Sequence, residues 1–136
     1  KISIEAVQAR HSEPKCLGYV FSGKEGRVGY TSDGEYYQNQ ENRFRGCEYL
    51  VINCHRHRGF PLKGYMDSNG ARKLIEGAKP RAAILTHFGM RMMRGVAEKE
   101  ARWVQEQTGI KTIAARDGMA IGSETKQSKG LNKFLI

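Results

Sequence analysis

The stretch Ala82-Ala83-Ile84-Leu85-Thr86-His87-Phe88-Gly89 joins a short apolar run directly to a histidine and a glycine. An apolar run of this length without polar alternation marks a strand buried on both faces. Upstream, Asp67-Ser68 offers a helix N-cap, and Ala71, Leu74, Ile75 and Ala78 follow at i, i+3, i+4 and i+7, an apolar stripe on a short helix that Pro80 closes. Further back, Tyr49–Cys54 is a second buried run, expected at the centre of a sheet. Downstream, Val96, Ala97, Ala101 and Val104 share one face of a helix from about Gly95 to Thr108, which Gly109 stops. Ile110–Ala114 and Met119–Ile121 are expected as two last short strands around the turn Arg116-Asp117-Gly118.

The opening third is antiparallel β in its pattern. Strands fit Ile2–Ala9, Cys16–Phe21 and Arg27–Thr31, and the Gly-rich turn Ser22–Gly26 joins the last two as a hairpin. The fold class is therefore α/β, a mixed sheet with two helices against one face. The other face, carrying residues from the strands of Ile4, Val20, Leu50 and Ile84, then has no lid from this chain, and an apolar sheet face does not stay in water. A partner is expected to cover it. The domain spans residues 1–121, and residues 122–136 form a polar tail with Lys126, Lys129 and Lys133.

Composition narrows the class. The 136 residues carry 23 Lys+Arg and 14 Asp+Glu, a net charge of +9. No apolar run approaches the roughly 20 residues of a membrane span, and no signal-type apolar segment opens the chain, so a cytoplasmic setting is expected. Three cysteines, Cys16, Cys47 and Cys54, are an odd number without close pairing and are read as buried thiols. The chain opens without Met and with a strand already in progress, as a piece of a larger domain would.

The metal-capable residues fall at strand ends. His11 follows the first strand, Asp33 the third, and His87 the strand Ala82–Thr86. Strand ends can converge on one sheet edge, and two imidazoles with a carboxylate make a partial set for zinc or a similar cation. Each also has an ordinary reading, Asp33-Gly34 as a hairpin turn above all. Arg91 and Arg94 follow His87 closely and are candidates for holding an anionic substrate group.

The wording around these residues is more specific. Ala9-Arg10-His11-Ser12-Glu13-Pro14, Leu17-Gly18-Tyr19-Val20-Phe21, Val28-Gly29-Tyr30-Thr31-Ser32-Asp33, Ala83–Gly89 and the closing Ala114–Met119 resemble, in order, the second half of metallo-β-lactamase-fold hydrolases. The resemblance runs from about Ile4 to Ile121 and implies one half of an αββα sandwich with a binuclear metal site, most simply zinc, at one edge. It implies that Asp33 bridges two cations, that His11 completes the shell of the first and His87 that of the second, and that an acidified water is the nucleophile. The family's His-x-His-x-Asp-His segment is absent from this chain, which implies that an N-terminal half of the same domain supplies the other ligands. His55-Arg56-His57 does not replace it, since Gly59 stands at the aspartate's place; flanked by Arg56 and Arg58, it is read as an exposed basic loop. Tyr65 stands where ribonuclease Z-like members carry a histidine, and Ser32 replaces the usual glycine before Asp33.

The expected activity is therefore hydrolysis of a phosphodiester or another ester-like bond, with the chain alone expected to be inactive. Two other classes stay open. A basic nucleic-acid-binding module would use the net charge and Tyr36, Tyr37, Phe44 and Phe60 among Arg43, Arg45, Arg56 and Arg58, although no module signature is present. A self-associating half-domain would cover its open sheet face with a second copy.

Overall fold

The computed structural model describes residues 1–122. One sheet holds β1 (Ser3–Gln8), β2 (Leu17–Gly23), β3 (Gly26–Tyr30), β4 (Tyr49–Asn53), β5 (Ala82–Thr86) and β6 (Lys111–Ala114), side by side in chain order. β1, β2 and β3 alternate in direction, and β3 to β6 run parallel. Parallel neighbours need a crossover, which α2 (Ser68–Ala78) supplies from β4 to β5 and α3 (Val96–Thr108) from β5 to β6. The connection from β3 to β4 contains α1 (Glu41–Phe44), too short to show a helical period in sequence.

The helix signals act as their chemistry dictates. Asp67 caps α2, its Oδ1 accepting from the Gly70 N–H at 2.7 Å. At the other end Lys79 turns left-handed and donates its N–H to the Ile75 carbonyl, one residue ahead of Pro80.

Register divides the sheet into two unlike faces. Val20, Gly29, Leu50, Ala83 and Thr112 stand in one row, all buried. Ala71, Leu74, Ile75 and Ala78 of α2 and Ala97, Ala101 and Val104 of α3 join Leu50, Ile52 and Leu85 in a single core on that side. Gly29 is its point of closest approach, since a Cβ there would stand 2.7 Å from the Phe44 ring and 2.9 Å from Leu50. The adjacent row, Ile4, Phe21, Val28, Tyr49, Ala82 and Lys111, faces the opposite way. On that side Ile2, Ile4, Phe21 and Val28 are exposed. The helices cover one face of a mixed sheet, in agreement with the sequence pattern.

Three expectations are corrected. Met119–Ile121 form no strand: the turn closes, with Met119 N–H donating to Arg116 O at 3.0 Å, but the returning residues pair with no strand. Ile121 instead lines a cavity with Val28 and Tyr49. Cys16 is half-buried rather than buried, since it stands in the connection just before β2, where its thiol meets the Ser32 hydroxyl and the Asp33 carbonyl; Cys47 and Cys54 are buried. His55, Arg56 and His57 are half-buried rather than an exposed loop, since residues 54–67 fold back on themselves: the N–H groups of His55 and Arg56 reach the Met66 carbonyl, and Ser68 N–H reaches Arg56 O. Of the 122–136 tail, residues 123–136 lie outside the described residues. No helix among those described is long and apolar enough to cross a membrane.

Candidate metal centre

β1, β3, β4 and β5 point the same way, so the segments leaving them gather at one carboxyl edge of the sheet. Ligands of open α/β sheets bind outside such an edge. His11, Asp33, His55 and His87 all stand within three residues of a strand end there.

Asp33 and His87 meet. His87 Nε2 lies 3.3 Å from Asp33 Oδ1, and the same oxygen accepts from Asn53 Nδ2 at 2.9 Å. Asn53 is itself fixed at the end of β4, its N–H donating to Thr31 Oγ1 at 3.1 Å. Both loops bend sharply to bring the pair together: Ser32, before Asp33, has φ 60° and His87 has φ 57°, left-handed values uncommon for side-chain-bearing residues. Residues 10 and 35 form an isolated bridge, with Glu35 N–H donating to Arg10 O at 2.9 Å, which ties the segment after β1 to that after β3.

His11 is oriented by its neighbour. Its Nδ1 lies 2.6 Å from the Gly64 carbonyl oxygen, which only accepts, so Nδ1 carries the proton and Nε2 keeps a free lone pair. A ligating histidine is commonly held this way. The Gly64 N–H donates in turn to Glu35 Oε2 at 3.0 Å. Ring neighbours then run along the rim: His11 and Tyr65 centroids are 4.9 Å apart, Tyr65 and His55 4.7 Å, His55 and His87 5.9 Å. A cavity of about 480 Å³ opens beside His11, lined also by Arg10, Ser12, Glu35 and Lys63.

The donor chemistry suits a divalent ion in part. Two ligand atoms about 2.0–2.1 Å from a tetrahedral ion stand about 3.3 Å apart, the separation of Asp33 Oδ1 and His87 Nε2. Among the described residues, however, no three His, Cys, Asp or Glu groups converge as a closed cage. Asp33 and His87 fit one edge of a ligand shell, and His11 presents a third donor on the same rim outside that pair. Of the two candidate substrate cations, Arg91 stacks on Phe60 with its guanidinium 4.3 Å from the ring centroid, and Arg94 is exposed. His55 and Tyr65 belong to the rim although the sequence pattern did not mark them as site residues. The available signal was position, since His55 follows the end of β4 by two residues as His87 follows β5 by one.

A family model described as a β-lactamase superfamily domain matches residues 1–88, well over half of the chain. The chain belongs to the β-lactamase superfamily. Consistent with this, an uncharacterized protein of Methanocaldococcus jannaschii is 33% identical over 121 residues, 88% of this chain and 45% of its own length. The metallo-β-lactamase-fold protein YhfI of Bacillus subtilis superposes with a TM-score of 0.78 at 18% identity, covering 87% of this chain and 47% of that one. A diphosphatase of the PhnP family gives a TM-score of 0.65 at 20% identity over 87% of this chain and 42% of its own. These superpositions establish the fold. The chain spans a little under half the length of each of these three proteins.

Proposed function

We propose that this chain contributes the Asp33, His87 and His11 part of a divalent-metal hydrolase site, most simply a zinc site of two ions, acting on a phosphodiester or another ester-like bond. The observation that carries the reading is the 3.3 Å approach of Asp33 Oδ1 and His87 Nε2 at the carboxyl edge of a superfamily sheet. A bound divalent ion there supplies an acidified water at neutral pH and a positive charge for a developing anion.

The chain's own residues have distinct tasks in this scheme. Asn53 donates to Asp33 Oδ1 and holds it beside His87 Nε2, so that this oxygen and His87 would hold one ion while the second carboxylate oxygen would be available to another. His11 offers Nε2 while Gly64 fixes its ring. Arg91 and Arg94 supply positive charge for an anionic substrate from the loop that follows His87. An N-terminal half of the same domain completes the ligand set and lays its own sheet over Ile4, Phe21 and Val28, and the chain by itself turns over little substrate. The thiols of Cys16, Cys47 and Cys54 are all free, as suits a reducing, cytoplasmic setting.

The test is metal content by mass spectrometry together with hydrolysis of bis(p-nitrophenyl) phosphate, in the complete protein. Asp33→Asn and His87→Ala are each expected to lower bound metal and to cut the rate by at least about a hundredfold. Wild-type metal content in both variants would remove the reading.

A further inference from the structure

His55 sits on this rim with a ring environment that ordinary packing does not require. Its N–H is tied to Met66 O at 3.0 Å and its carbonyl accepts from Gly89 N–H at 3.1 Å, so the backbone is fixed between two loops. The ring lies against Tyr65 at 4.7 Å and beside His87 at 5.9 Å, centroid to centroid. Nδ1 is buried and has no hydrogen-bond partner among the described residues. An enclosed N–H is orphaned less readily than an enclosed lone pair, which assigns the ring proton to Nε2.

The Nε2 edge is kept open by Gly89. A Cβ on residue 89 would stand 2.8 Å from Nε2 and 2.8 Å from the His55 carbonyl oxygen. Residue 89 has φ −73° and ψ 169°, extended backbone that any residue adopts. Glycine is therefore required at 89 by space and not by conformation, and the space it leaves adjoins the donor nitrogen of His55. The ring is not a third member of the Asp33 and His87 pair, because no three such groups converge. A fixed, aromatic-backed imidazole with one enclosed nitrogen and one uncovered donor, next to a candidate metal ligand, is arranged to meet a ligand from outside the chain.

We propose that His55 is a substrate-contacting residue, its Nε2–H donating a hydrogen bond to an anionic phosphoryl oxygen held beside Asp33 and His87, with Tyr65 and Gly89 setting the ring. This rests on the metal-hydrolase reading above. The probe is inorganic phosphate, titrated calorimetrically into the metal-loaded complete protein, with metal content measured on every sample. His55→Phe keeps a ring and removes both nitrogens; it is expected to retain wild-type metal content and to bind phosphate roughly ten- to hundredfold more weakly. His55→Gln, which keeps a donor, is expected to recover part of that loss. His55→Leu, which likewise removes both ring nitrogens, gives the same expected loss should His55→Phe not fold.

Phosphate affinity unchanged in His55→Phe, or absent from metal-loaded wild type, overturns the proposal alone. Loss of metal in His55→Phe to the level of His87→Ala also overturns it, by making His55 a ligand. Wild-type protein that takes up no metal overturns the hydrolase reading and this one together.

Discussion

Burial separates the three thiols into two kinds. Cys54 is fully enclosed, and burial, with Asp67 and Glu100 nearby, pushes its thiol well above the ordinary range; burial raises Cys47 as well. A thiol that stays protonated when folded but ionises when unfolded adds stability in full below the unfolded pKa, near 8.5, and loses it as pH rises beyond that. Urea unfolding under reducing conditions is therefore expected to show stability falling above about pH 8.5, by up to about 1.4 kcal/mol per pH unit for Cys54. Cys54→Ala should flatten that slope, and an unchanged slope would place its cause elsewhere. The residue scale is also where the site was partly legible. The sequence singles out Asp33 and His87 because each follows a strand within a distinctive local wording, and the structure brings the two together. His55 carries a similar positional signal, two residues past β4, but Arg56 and Arg58 beside it read as a solvated loop and mask it. What draws its ring into the rim is non-local, the return of the chain to Met66 and the space at Gly89.

Among the elements, those governed by their own period or cap stand where the pattern puts them. Asp67 starts α2, Gly109 ends α3, and the apolar runs at residues 49 and 82 begin β4 and β5. Met119–Ile121 fails because a strand needs a partner, which composition does not reveal. The α3 stripe hides a further feature. Glu100 falls on the same face as Ala97, Ala101 and Val104, at i+3 from Ala97, and is buried. Its carboxylate takes Arg58 Nη1 at 2.6 Å, Arg58 N–H at 3.3 Å and the Ser68 hydroxyl, while the Arg58 guanidinium stacks on Trp103 at 4.2 Å. This network pins the loop after β4 to both α2 and α3. Arg58→Ala strands a buried charge and is expected to cost about 2–3 kcal/mol in chemical denaturation. Arg58→Met with Glu100→Leu removes both charges and should cost less than Arg58→Ala alone; an equal or larger loss would show that the ion pair is not the source.

For the whole molecule, the two faces of the sheet make opposite demands. One is closed by three helices, and the other exposes Ile2, Ile4, Phe21 and Val28 on adjoining strands. Residues 1–136 alone are expected to associate at micromolar concentration in sedimentation velocity, and Ile4→Lys with Phe21→Lys to disperse them with the helical circular dichroism unchanged. A monodisperse wild-type monomer would remove that expectation. The order of the strands carries a different kind of consequence. Because each strand lies beside the one made just before it, from β1 to β6, no later segment has to be threaded between two earlier ones. As the polypeptide leaves the ribosome, every new strand meets a finished edge already waiting, so the sheet can grow by accretion during synthesis. The rim matures on the same schedule: Asp33 emerges well before His87, so their 3.3 Å approach cannot form until translation has passed the fifth strand.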